Sequence, residues 1–237
     1  MIRKAFIAGA LAVGAFVFAS APLATSARAE LVYNASEGRW EEVNLAQRQR
    51  MKAVPSKFKR RGVMVATQEA PGTIIIDTNN KFLYHITGNN RATRYGVGVG
   101  REGFGWSGTV KVGAKKEWPT WTPPAEMRAR ERAAGRILPI SMAGGPDNPL
   151  GARAMYLYKG GRDTIYRIHG TNQPWSIGLN LSSGCIRMMN KDVEHLYSNV
   201  DIGTKVIVVG PGEDARKYVK EGLGGAFGGA LTSILGG

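Results

Sequence analysis

Cys185 is the only cysteine in a chain of 237 residues, and it does not sit in an apolar run. It lies in Ser182-Ser183-Gly184-Cys185-Ile186-Arg187, after two hydroxyl residues and a glycine and two positions before an arginine. Gly184 lets the main chain turn tightly and removes bulk beside the sulfur. Successive main-chain N–H groups in such a turn can point at a developing oxyanion. Arg187 brings positive charge that favours thiolate over thiol and can hold a carboxylate. These neighbours point to a reactive thiol; a buried small hydrophobe and an intermolecular link are the alternatives for a lone cysteine.

A thiol nucleophile needs a base within hydrogen-bond reach, and the chain has three histidines. His85 is mid-strand in FLYHIT, and His195 lies off the buried face of a helix, on its solvent side. His169 ends a strand and is followed by Gly170-Thr171-Asn172. Sites gather at such strand ends because rigid elements hold the side chains while loops admit substrate. The separation of His169 from Cys185 lets the chain leave one strand and return beside it. Zinc is the rival: Cys185 and three histidines would supply four ligands. No two of them stand at a short motif spacing, so neither a metal nor another cofactor is expected.

The elements that must position these residues are mostly short strands. Residues 72–77 (GTIIID) form a strand, Asn79-Asn80 the turn and 81–87 the returning strand of a hairpin. RYGVGVG at 94–100 and GTVKVG at 108–113 are further strands flanked by glycine. Trp118, Trp121 and Pro123-Pro124 make a stiff aromatic loop, and a short helix follows over 124–134. A glycine- and proline-punctuated connection leads to strands over 154–158 and 164–169. The best helix covers 190–200, with Asn190 as its cap and Val193, Leu196, Tyr197 and Val200 on one buried face. TKVIVV at 204–209 is a core strand, and a last helix is expected over 213–220. The fold class is mainly β with one or two short helices; nothing in the residues distinguishes a barrel from a sandwich.

The termini set the compartment. Arg3 and Lys4 precede fifteen apolar residues, Ala5 to Ala19, and then Ala27-Arg28-Ala29, a small-x-small cleavage signal. A spanning helix needs about twenty apolar residues, so 1–29 reads as a secretory signal peptide. No cysteine follows that could carry a lipoprotein anchor. Export to the periplasm or cell envelope is the expectation. Cleavage removes three bases and no acid, which leaves 29 bases against 18 acids, a net charge of +11. Such a surface favours polyanions; export excludes nucleic acid as the working partner and leaves acidic glycopeptide, with at most peripheral membrane contact. Residues 30–55 are a basic lead-in, 56–212 the catalytic domain, and 213–237 a short helix and glycine-rich tail.

The run from His169 to Leu196, HGT…IG…SSGCIRM…D…L, resembles the signature of the L,D-transpeptidase catalytic domain, the YkuD-like family. NPLG at 148–151 resembles a further segment common in these enzymes, and the likeness covers about residues 60–210. It implies a sandwich-like, mostly β domain whose cysteine attacks a peptidoglycan stem peptide. Its nucleophile maps to Cys185, its base to His169, the orienting main-chain carbonyl to Gly170, and the arginine that contacts a substrate carboxylate to Arg187. Many members carry histidine where this chain has Ser183, which is left with a local hydrogen-bonding role beside the substrate. Trp121, Trp175 and Tyr84 are candidates for an aromatic rim over the peptide or sugar. The resemblance implies transfer from a tetrapeptide stem to a second stem, forming 3→3 cross-links. Water or an envelope protein's lysine would make the same chain a carboxypeptidase or a protein-to-wall ligase. A wall-binding protein without chemistry is the reading from another class.

Overall fold

The computed structural model describes residues 30–34, 39–43, 54–100, 106–133, 135, 137–182 and 184–222. The expected signal peptide, the glycine-rich tail from 223 onward and Ser183 lie outside the described residues. In the basic lead-in, β1 (Glu30–Asn34) pairs antiparallel with β2 (Arg39–Val43).

The remaining strands are β3 (Arg61–Ala66), β4 (Ile74–Asp77), β5 (Phe82–Gly88), β6 (Arg91–Gly96), β7 (Val99–Gly100), β8 (Gly108–Glu117), β9 (Arg153–Lys159), β10 (Arg162–His169), β11 (Asn180–Ser182), β12 (Ile186–Arg187), β13 (Lys205–Val209) and β14 (Lys220–Glu221). Ten of them form one sheet in the order β12-β10-β9-β8-β13-β4-β5-β6-β3-β14, while β7 pairs with β11. Most neighbours are antiparallel; β10 with β12 and β13 with β4 run parallel. Gly98, just after β6, exchanges main-chain hydrogen bonds with Arg187 of β12 (2.9 and 2.8 Å). The far side of the sheet therefore folds back toward its first strand without closing a continuous barrel, a sandwich-like arrangement.

Strand periodicity explains the two cores. In β4, Ile74 and Ile76 face one core while Ile75 faces the other. In β13, Val206 and Val208 split from Ile207 and Val209 in the same way. Successive side chains of a strand point to opposite faces, so an uninterrupted β-branched run is what a strand covered on both sides requires. Each fully buried isoleucine contributes roughly 1.5–3 kcal/mol. Asp77 closes the β4–β5 turn by accepting the N–H groups of Asn79 and Asn80 (both 3.0 Å), and Lys81 takes φ +64 to return the chain. Gly160 and Gly161, both at positive φ, make the β9–β10 turn.

Among the described residues there are two α-helices, α1 (Ala125–Ala133) and α2 (Asn190–Ser198). Val193, Leu196 and Val200 are buried as the helical spacing predicts. Asn190 is not the cap: its Oδ1 accepts the N–H groups of Ala152 and Thr171, both at 3.1 Å. At the other end, Lys115 of β8 donates to the carbonyls of Tyr197 and Val200, a cation at a helix C-terminus. His195 is half-buried rather than fully on the solvent side, with Nδ1 2.8 Å from the hydroxyl of the buried Tyr95. The helix expected over 213–220 is a single 3-10 turn, Ala215–Lys217, followed by β14, which pairs with β3. Ala215 and Val219 pack into the second core, and that tertiary contact outweighs a weak local helical preference. No helix among the described residues is long and apolar enough to cross a membrane.

Candidate active site

Two strands build the site. β10 and β12 pair in parallel with Ile168 opposite Ile186 and His169 opposite Arg187. Ile168 and Ile186 are buried in the first core. Alternation therefore sends His169 and Arg187 to the opposite face, together with Arg167 and Cys185, each two residues earlier on its own segment. The sequence separates His169 and Cys185 by a long loop; the register brings their segments together.

Cys185 is reached through Gly184 at φ +102, a left-handed conformation that suits glycine. Ser182 clips this turn: its Oγ accepts the Gly184 N–H (3.2 Å) and donates to the Cys185 carbonyl (2.5 Å). The Gly184 N–H expected to face an oxyanion is thus already engaged by a side chain. Trp106 donates from Nε1 to the Gly184 carbonyl (3.1 Å) and stacks on Tyr166, ring centroids 4.6 Å apart.

His169 is buried, and its Nδ1 lies 2.6 Å from the Gly170 carbonyl. A carbonyl only accepts, so Nδ1 carries the proton and Nε2 keeps its lone pair. Burial first, then the Arg187 guanidinium, bring the imidazole down to about 3, although the carbonyls of Gly170 and Leu150 pull the other way. Cys185 is only partly covered as a residue, yet burial of the thiol raises it. The Arg167 main chain and the charges of Arg167 and Arg187 lower it, as expected for Arg187, but burial outweighs them. Burial therefore favours the neutral form of both the thiol and the imidazole.

Arg187 is 5 % exposed and no carboxylate among the described residues lies within ion-pair distance. Its Nη1 is 3.5 Å from Oε1 of the buried Gln173, and burial brings the guanidinium down to about 10. A buried cation without a counter-charge is costly, and a carboxylate brought by a ligand would relieve that cost. Among the described residues no three His, Cys, Asp or Glu side chains gather so as to hold a metal ion.

The aromatic candidates fare differently. Trp175 is half-buried in the 3-10 turn Pro174–Ser176, beside Gln173. Trp121 is buried against Met127 and Leu138 and bridges Met142 through its main chain, so it anchors a loop instead of forming a rim. Tyr84 belongs to the second core, with its hydroxyl 3.3 Å from Glu221. Its alternation puts it under the sheet, not beside Cys185.

Several residues escaped the sequence reading. Trp106 had no motif to mark it. Asn148 lies in the NPLG segment, where its family pattern was visible and its work was not. It is 1 % exposed, donates from Nδ2 to the carbonyls of Pro119, Met142 and Ala143 (3.0, 3.1 and 3.0 Å), and accepts the Leu150 N–H (2.8 Å). It thereby ties down the loop that leads to Gly151. A Cβ at Gly151 would come within 2.2 Å of Asn190 Oδ1 and 2.4 Å of the Thr171 nitrogen, so only glycine lets this loop close on the strand end that bears His169.

The family model of the L,D-transpeptidase catalytic domain, YkuD, matches residues 71–208. The probable L,D-transpeptidase YbiS of Escherichia coli K12 is 42% identical over 139 residues, 57% of this chain and 43% of that protein. The probable L,D-transpeptidase ErfK/SrfK of the same strain is 37% identical over 154 residues, 63% of this chain and 46% of that protein. The putative L,D-transpeptidase YqjB of Bacillus subtilis is 50% identical over 76 residues, 32% of this chain and 42% of that protein. The matches span less than half the length of these curated relatives. With the strand register, the Ser-x-Gly-Cys turn and a family match over more than half of its length, this chain belongs to the L,D-transpeptidase catalytic domain family.

Proposed function

We propose that the protein is an exported peptidoglycan L,D-transpeptidase with Cys185 as nucleophile and His169 as general base. The observation that supports the reading is the parallel β10/β12 register, which sets His169 opposite Arg187, two residues after Cys185. His169 Nε2 takes the thiol proton as sulfur attacks the carbonyl between diaminopimelate and D-alanine of a tetrapeptide stem. Because burial leaves both groups neutral at rest, proton transfer accompanies the attack instead of preceding it. The Gly170 carbonyl holds the imidazole in the Nδ1–H tautomer throughout.

The tetrahedral oxyanion is met by the Cys185 N–H, since the Gly184 N–H is occupied by Ser182. The imidazolium returns its proton to the departing D-alanine amine, leaving a thioester. A side-chain amine from a second stem then attacks the thioester, its proton passes through His169 to the departing Cys185 sulfur as the C–S bond breaks, and the new amide is a 3→3 cross-link. The Arg187 guanidinium, which has no carboxylate partner among the described residues, receives a stem carboxylate, and Trp175 stands next to Gln173 on the same side. The basic surface raises the local concentration of acidic stems. The working compartment is the periplasm, and the catalytic unit runs from about residue 56 through β14.

The test is incubation of the mature protein with disaccharide-tetrapeptide, read by mass for released D-alanine and a cross-linked dimer. Loss of both in Cys185→Ser is expected, and full activity in that variant would overturn the assignment. Offering water alone, a second stem or a lysine-bearing envelope peptide separates transpeptidase from carboxypeptidase and ligase.

A further inference from the structure

The pairing of β10 with β9 slips between Asp163 and Arg167. Inside the slip, Ile165 takes φ +62 with 75 % of its surface exposed. A β-branched residue rarely adopts that conformation, and strained backbone of this kind persists only where neighbours over-determine it. They do so here. Asp163 Oδ1 accepts the Ile165 N–H (2.8 Å), and Thr164 Oγ1 donates to the Leu157 carbonyl (2.7 Å). Arg167 forks onto Asp163, Nη1 to Oδ1 at 2.7 Å and Nη2 to Oδ2 at 2.8 Å. Its Nη1 also donates to the Tyr166 carbonyl (2.9 Å), and its guanidinium lies 4.3 Å from the Tyr156 ring centroid.

The bulge thus delivers a rigid ion pair to the face of β10 that also bears His169. Cys185 lies on the same face, one strand away, two residues before the Arg187 that stands opposite His169. The charged and titratable groups that β10 and β12 bring to this side are Asp163, Arg167 and His169 from β10 and Arg187 from β12. Arg167 and Arg187 favour the thiolate; Asp163 disfavours it.

We propose that the Asp163–Arg167 pair, held by the bulge at Ile165, is a positioning element for the Cys185 nucleophile. Arg167 steadies the thiolate through its guanidinium, while Asp163 anchors that guanidinium and restrains its charge. The inference rests on the reading of Cys185 as the reacting group, but its test does not need the cross-linking reaction.

Cys185 is the sole cysteine, so the rate of iodoacetamide labelling against pH, followed by intact mass on the mature protein, titrates this thiol alone. Asp163→Asn is expected to move the midpoint down and Arg167→Gln to move it up, each by roughly half a unit or more. Both variants break the same ion pair, so a purely structural role would shift the two midpoints in the same direction or leave both unmoved. Either of those results overturns the proposal. If thermal unfolding shows that Arg167→Gln has lost its fold, Arg167→Lys replaces it, with an unshifted midpoint expected against the downward shift of Asp163→Asn. A lysine variant that shifts like Asp163→Asn also overturns it. Opposite shifts in a protein that releases no D-alanine would retain this element and discard the proposed function; D-alanine release without them would do the reverse.

Discussion

The sheet uses parallel pairing twice, at β13/β4 and at β10/β12, to opposite ends. At β13/β4 both faces are apolar, and Ile74, Ile75, Ile76 and Val206 are fully buried. At β10/β12 only Ile168 and Ile186 face a core, while the other face holds His169, Arg187, Arg167 and Cys185. The same parallel pairing thus gives structural strength where both faces are covered by hydrocarbon and gathers the candidate site residues where one face is not. The second arrangement carries the costs: among the described residues its buried Arg187 has no carboxylate partner, and its histidine resists protonation.

The largest effect should separate the two pairs outright. His169→Gln is expected to slow D-alanine release on the order of a thousandfold, with little change in thermal midpoint at neutral pH. A loss below tenfold would remove His169 from the base role. In the other pair, Ile75→Ala should cost about 3 kcal/mol in denaturant unfolding while the labelling profile of Cys185 stays where it was. A shift in that profile would show that the two regions are not separable.

Acid sharpens the contrast further. His169 is held to about 3 when folded against 6.5 ordinarily, so between those values the unfolded chain takes up a proton that the folded chain refuses. Stability is then lost as pH falls from about 6.5 toward 3. Burial lowers His85 and His195 too, and their contributions have the same sign. His169→Gln should flatten this loss in thermal unfolding measured across that window. The acid limb of acylation should likewise lie below the ordinary histidine range; a midpoint near 6.5 would contradict the buried neutral imidazole.

Arg187→Met is expected to raise stability by about 1–2 kcal/mol, since it removes an unpaired buried charge in favour of hydrocarbon, and to cut D-alanine release at least tenfold. Reduced stability together with unchanged release would place Arg187 in the scaffold. The smallest effect belongs to Ile165→Gly, which should stabilise by about 1 kcal/mol by relieving a left-handed β-branched residue.

Much of the site could be read from local chemistry. The Ser-x-Gly-Cys-x-Arg turn and the strand-ending His169 were visible because each depends on residues close in sequence. Tyr84 and Trp121 show what local sequence does not carry: aromatic character does not reveal which face of a strand or which side of a loop a ring will occupy. Asn190 looked like a helix cap because local sequence offers it no other partner; Ala152 and Thr171 come to it only on folding. Residues 215–221 follow the second core and the β3 edge, which lie far off in the chain.

The residue order alone therefore determined the β-rich class, the strands of the doubly covered centre and the identity of the lone thiol and its candidate base. These follow from periodicity, β-branching and the chemistry of near neighbours. Tertiary structure alone decided that β10 and β12 lie in register, that Ser182 occupies the Gly184 N–H, and that burial keeps thiol and imidazole neutral. Those outcomes depend on contacts between segments distant in sequence and on how much water folding removes, and neither quantity is carried by any short stretch of the chain.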